Sequence, residues 1–106
     1  MKKAFFVVTL SLAVSAQAYA SDPVAGKEKS KACAECHGEN GVSKAPDFPN
    51  LAGQHSTYLV RALSDYKSGA RKNAIMAAQV ANLKPNDIAD LAAYFSSRPP
   101  ALQSKY

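Results

Sequence analysis

Two stretches of the chain repeat apolar residues at helical spacing, and none alternates in the manner of a strand. Ile88, Leu91, Ala92 and Phe95 stand at i, i+3, i+4 and i+7, the stripe of an amphipathic helix. Lys84-Pro85-Asn86-Asp87 opens that helix. Pro85 fits its first turn, and Asp87 sits where the positive end of the helix dipole favours an anion. Pro99-Pro100 prevents its continuation. Upstream, Tyr58, Ala62, Leu63 and Tyr66 recur at the same spacing, with Leu59 beside them. They predict a helix from Ser56 or Thr57 to about Ser68, stopped by Gly69, with Arg61, Asp65 and Lys67 largely on the wet side. Ile75 to Leu83 is apolar but short, enough for one or two helical turns.

The first helix is read from composition and caps instead. Pro23 fits a first turn, Ser21 or Asp22 can cap it, and Val24 to Cys33 is rich in Ala, Lys and Glu. Gly26 costs stability there, so it is either a point of close helix approach or a tolerated surface glycine. Gly38 and Gly41 end the helix. From Gly38 to Gly53 the chain reads as a loop, with Asn40, Ser43, Pro46, Asp47, Pro49 and Asn50. A loop of that length in a small domain is usually functional or wrapped around something.

The N-terminus changes the size of the problem. Lys2 and Lys3 precede an apolar run from Ala4 to Val14, broken only by Thr9 and Ser11, and Ala18-Tyr19-Ala20 supplies small residues for a signal peptidase. Residues 1–20 therefore read as a secretory signal peptide cleaved after Ala20, with one domain in residues 21–106. The run is too short for the roughly 20 residues of a spanning helix. Of 106 residues, 86 remain, few enough to need a staple such as a metal, disulfide or cofactor. The net charge of +5 falls to +3 without Lys2 and Lys3, so nucleic-acid binding is a poor reading of the basic pI.

Candidate chemistry centres on Cys33-Ala34-Glu35-Cys36-His37-Gly38. Cys-x-x-Cys-His is the pattern of covalent haem attachment. Two thiols two residues apart can each form a thioether to a vinyl group, and the adjacent His37 offers an imidazole nitrogen to the iron. There is no other cysteine, and His55 is the only other histidine. A zinc site would need ligands that His55 alone cannot complete, and a thioredoxin-like pair would be expected beside a βαβ pattern that is not visible. Met76, the one methionine after the signal, can supply a thioether as second axial ligand, or else fill core space. His55 is the rival for that position.

These residues carry a family resemblance. With Asn40-Gly41, Pro49-Asn50-Leu51-Ala52-Gly53-Gln54, Tyr58-Leu59, Gly69-Ala70-Arg71, Met76 ahead of Leu83, and Ile88 to Phe95, the chain resembles the small class I c-type cytochromes. It is similar to the single-haem bacterial proteins and to one half of the two-haem cytochrome c4 type. The resemblance implies an all-α cytochrome c fold, three main helices plus a short helical turn around one covalent haem c. It implies thioethers at Cys33 and Cys36, His37 as proximal and Met76 as distal iron ligand, and Pro49 as the carbonyl that accepts the other imidazole N–H. Leu51 and Leu59 become haem contacts, and Gly26 and Tyr94 the pair at the crossing of the first and last helices.

The function implied is single-electron transfer in the periplasm, without enzymatic turnover or a small-molecule substrate. The partners would be redox proteins: membrane respiratory complexes, oxidases or soluble redox enzymes, with any membrane contact made through them. The alternative is a ligand-binding or sensing haem protein with an open iron site. Lys27, Lys29 and Lys31 are expected to form a solvated face, as are Lys44, Lys67, Arg71 and Lys72, some of which could orient a partner. Arg71 could instead meet a haem propionate.

Overall fold

The computed structural model describes residues 2–6 and 21–102. Most of the expected signal peptide, and its cleavage point after Ala20, lie outside the described residues. Five helices follow in order: α1 (Pro23–Lys29), α2 (Lys31–His37), α3 (Ser56–Ser68), α4 (Ala74–Val80) and α5 (Pro85–Ser96). Among the described residues there is no strand, and no helix is long and apolar enough to cross a membrane.

The first helix, expected in one piece, is divided at Ser30. Its hydroxyl donates to the Lys27 carbonyl at 2.7 Å, and its N–H donates to the same oxygen at 3.2 Å. A buried serine bonding back to its own backbone tightens the turn and interrupts the regular ladder. Helical bonding resumes at once, with Ala34 N–H reaching the Ser30 carbonyl at 2.9 Å. Asp22, rather than Ser21, caps α1 by accepting from Val24 N–H at 2.9 Å. The short helical turn is α4, and α3 ends on Gly69 in the left-handed region, as its sequence requires.

α1 crosses α5 at Gly26. A Cβ on Gly26 would lie 2.6 Å from the Asp90 carbonyl carbon and 2.8 Å from Tyr94 Cβ, so no larger residue fits. The glycine is there for close approach. One face of α5 thus buries Asp90 and Tyr94 against α1, while Leu91, Ala92 and Phe95 join Leu59 of α3 in the core. Cys33, Leu51, Leu63 and Leu83 pack around that cluster.

Lys29 departs from the solvated face expected of it. Its ammonium reaches Asp87 at 2.8 Å and Asp90 at 2.6 Å, both on α5. The helix crossing brings these charges together, and that is invisible in a sequence separation of about sixty residues. Asp90 also accepts from Asp22 N–H at 2.8 Å, and Asp87 from Lys84 N–H at 2.8 Å, which caps α5.

The loop between α2 and α3 is folded upon itself. Leu51 and Ala52 N–H groups donate to the Gly41 carbonyl at 2.7 and 3.0 Å, and Ser43 N–H donates to Asn50 Oδ1 at 2.7 Å. Gly41, at φ 76°, faces Ala52 N and the Phe95 ring so closely that a side chain would not fit. This knot carries Phe48, Pro49 and Leu51 to the side of α2.

Candidate haem site

A cleft of about 390 Å³ lies between α2, the 47–54 loop, α3, α4 and α5. Cys33, Cys36 and His37 line it from α2, Pro49 and Leu51 from the loop, Leu59 from α3 and Met76 from α4. Every residue that the family resemblance implies at the haem is therefore on one cavity. His55 is not: it is an exposed residue ahead of α3 and is absent from the lining.

His37 is set most firmly. It is the last residue of α2, and only 7% exposed. Its Nδ1 lies 2.8 Å from the Pro49 carbonyl oxygen. A carbonyl can only accept, so Nδ1 carries the proton and donates. The neutral imidazole then keeps its lone pair on Nε2, which has no hydrogen-bond partner among the described residues. The Phe48 ring meets the imidazole edge-on at 6.3 Å between centroids and restrains its tilt. Pro49 contributes through its backbone oxygen, so the shape of the loop matters more there than the side chain.

Cys33 and Cys36 are free thiols, both half-buried. Burial pushes the Cys33 thiol above the usual cysteine range. A redox-active cysteine needs the opposite shift, so the environment suits an apolar wall better than a thiolate.

Met76 is half-buried in the first turn of α4, and Asn73 accepts from its N–H at 3.0 Å. That cap starts α4 and so sets where the thioether stands. Asn73 carries a signal legible in the sequence, since an Asn ahead of an apolar run is a helix-start signal. Phe48 gave no signal beyond being an aromatic residue in a loop.

The site also gathers Tyr58, Tyr66 and Arg71 at its lining. Arg71 donates from Nη1 to Tyr58 Oη at 3.3 Å, and its guanidinium carbon lies 4.8 Å from the Tyr66 ring centroid. The hydrogen bond with Tyr58 raises the Arg71 pKa further, leaving it charged at any physiological pH.

The donors fit a haem. Two thiols, one imidazole nitrogen without a proton and one thioether face a cavity whose remaining walls are mostly aliphatic and aromatic. Comparison with known proteins agrees. The sequence pattern of the family described as cytochrome c matches residues 23–99. Cytochrome c4 of Azotobacter vinelandii is 39% identical across 96% of this chain and 53% of its own length. Cytochrome c-554(548) of Halomonas halodenitrificans is 44% identical across 74% of this chain and 99% of its own length. A crystal structure of reduced recombinant cytochrome c4 from Pseudomonas stutzeri aligns with a TM-score of 0.72 at 42% identity, covering 76% of this chain and 47% of that one. The chain thus spans about half the length of the cytochrome c4 relatives it matches. It belongs to the cytochrome c family, as a single domain that binds one haem c covalently.

Proposed function

We propose that the protein is a one-electron carrier, exported to the periplasm, whose haem iron is held between His37 and Met76. When bound, the haem supplies a ferric/ferrous couple, and no substrate is transformed. The observation that carries the reading is the hydrogen bond from His37 Nδ1 to the Pro49 carbonyl, 2.8 Å long and inside the cleft. It orients the ring, raises the basicity of Nε2 and needs no cofactor to form.

The other residues divide the remaining work. Cys33 and Cys36 would tether the haem by thioethers, so that it would not be lost on each redox cycle. Met76 would offer its thioether to the iron, which would favour the reduced state and deny the site to small ligands. Leu51 and Leu59 keep water from the porphyrin faces; both belong to or pack on the core cluster. Holding both ligands in a packed frame keeps reorganisation small when the charge changes. Redox proteins are the partners this requires, since an electron has to arrive and leave by brief docking.

An absorption spectrum with an intact-protein mass tests the reading. Expected are a mass increase of one haem that survives acid-acetone extraction, a low-spin spectrum, a ferric methionine–iron band at neutral pH and slow CO binding to the ferrous form. Absence of that band together with fast CO binding replaces the carrier with an open-site ligand-binding or sensing protein. The same mass, if it begins at Ser21, establishes the cleavage.

A further inference from the structure

A single proline is enough to end a helix, yet α5 is followed by Pro99-Pro100, and the second proline has a contact of its own. The chain leaves α5 through a turn fixed at two points. Ser97 Oγ donates to the Tyr94 carbonyl at 2.7 Å, and the Arg98 guanidinium carbon lies 5.0 Å from the Tyr94 ring centroid. Tyr94 is buried, so the turn rests on the core. The two proline rings restrict the backbone that follows. They bring Pro100 onto Gly53, where an added Cβ would lie 2.7 Å from Pro100 Cβ and 3.1 Å from its Cα. Beside that contact, Gly53 N–H donates to the Phe95 carbonyl at 3.0 Å.

Gly53 closes the loop that carries the Pro49 carbonyl. Gln54 N–H donates to the Leu51 carbonyl at 3.3 Å, and Leu51 and Ala52 both donate to the carbonyl of Gly41, which follows closely on His37. One knot thus joins the segment that holds the imidazole to the segment that holds its acceptor. Pro49 and Asn50 are exposed. With little packing of its own, the acceptor takes its position from the two ends of the knot, Gly41 on one side and Gly53 on the other. We propose that Pro100 is a positioning residue for electron transfer: seated on Gly53 beyond the end of α5, it holds the 49–53 segment so that the Pro49 carbonyl stays on His37 Nδ1.

The inference deepens the carrier reading and rests on it. The hydrogen bond to Pro49 makes His37 a stronger donor to the iron, and a stronger donor favours the ferric state. Loosening the loop therefore raises the midpoint potential. Loosening that merely let water reach the haem would lower it, because water favours the more highly charged ferric centre. The sign of the shift separates positioning from bare structural support. The test uses the covalent holoprotein as wild type, P100G, P100A and, as a control weakened at the α1–α5 crossing, K29M. Redox titration gives the potential, and NMR of the ferrous state gives the rate at which the His37 Nδ1 proton exchanges with deuterium.

In P100G the potential should rise and the Nδ1 proton should exchange several-fold faster than in the wild type, while the Leu59 amide in α3 keeps its protection. P100A retains the Cβ contact and should move both readouts in the same direction by less. K29M should leave both unmoved. A P100G protein with the wild-type potential and exchange rate overturns the assignment, and so does one with a lowered potential. A K29M protein that shifts both readouts as P100G does also overturns it, because general loosening would then account for the effect. If P100G does not mature, P100A decides: both readouts unmoved overturns the assignment. A wild type lacking covalent low-spin haem defeats the carrier reading and this inference with it, whereas a sound wild type beside an unmoved P100G defeats this inference alone.

Discussion

The α1–α5 crossing and the α3–α4 wall of the cleft are held by different means. At the crossing, backbone nearly touches backbone. Gly26 meets Asp90 and Tyr94, and Tyr94 is buried with its hydroxyl donating to the Glu39 carbonyl at 2.6 Å. At the α3–α4 wall most of α4 is exposed, and Val80 is its only buried residue. Local ties keep it in place: the Asn73 cap on Met76 N–H, and Lys67 Nζ donating to the Leu83 carbonyl. The imidazole therefore sits in a frame that the protein completes alone. The thioether stands on a short helix with little core of its own. One proposed ligand is preorganised by the protein, whereas the other would gain its rigid position only from a haem in the cleft.

Substitutions should separate the two regions. The largest effect is expected at the crossing. Gly26→Val puts branched carbon into contacts already below 3 Å, and should cost more than ~3 kcal/mol, above the usual range for overpacking. Denaturant unfolding of the holoprotein, or failure to recover any, reads this out. A fully stable G26V would mean that the helices can separate without loss.

Met76→Ala comes next and leaves the fold largely intact. The haem should stay attached through Cys33 and Cys36, while the potential falls on the order of a few tenths of a volt, within the ~0.8 V over which axial ligands set haem potentials. Redox titration and CO binding check this, and an unchanged potential would transfer the ligand role elsewhere. Asn73→Ala is milder still. Losing a helix cap costs about 1 kcal/mol, and the loss should be confined to α4. Amide exchange across residues 76–80 should accelerate while α5 stays protected. Equal acceleration in both helices would show that the two walls are one cooperative unit.

The smallest effect is expected for Lys29→Met, and its value lies in the pH dependence. Hydrogen bonds from Lys29, and then from backbone N–H groups, hold Asp87 and Asp90 below the usual carboxylate range. Hydrogen bonds to Asp87 and Asp90 raise Lys29 above the usual lysine range. A lowered carboxylate stabilises the fold above its unfolded pKa and loses that contribution as pH falls through the folded value. A raised lysine contributes below its unfolded pKa and loses it as pH rises through the folded value. The cluster therefore supports the crossing between the carboxylate and lysine ranges and fades in acid and in strong alkali. K29M should lower the thermal midpoint slightly within that window, less so in high salt because the charges are partly exposed, and flatten the acid limb. An acid limb identical to the wild type would assign no stabilising role to the cluster.

Much of this could be read along the chain because the determinants are local. The α5 stripe, Pro85 at its start, Gly69 at the end of α3 and the Cys-x-x-Cys-His motif each express themselves within a few residues. The resemblance to class I c-type cytochromes extended that to Pro49 and Met76, and the fold brings both to the cleft of His37. The break at Ser30 was harder, because good helix formers surround it and the competing hydroxyl bond depends on the serine being buried. Lys29 departs from the solvated face expected of it for a related reason. A lysine on a helix is normally solvated, and nothing nearby in sequence announces two aspartates on α5. Phe48 and the Arg71–Tyr58–Tyr66 group share that character, since each has meaning only through what lies against it.

The sequence by itself determined α3, α4 and α5, the attachment motif and the family, because caps, periodicity and a five-residue motif are set by short-range geometry. Whether Gly26 was a surface accident or a contact, which nitrogen of His37 remains without a proton, and which cation stands at the cleft were decided only by the tertiary structure. Each of those depends on the distance between residues remote in the chain: Gly26 to Asp90, His37 to Pro49, and Arg71 to Tyr58. Local propensity carries no term for such distances; packing does.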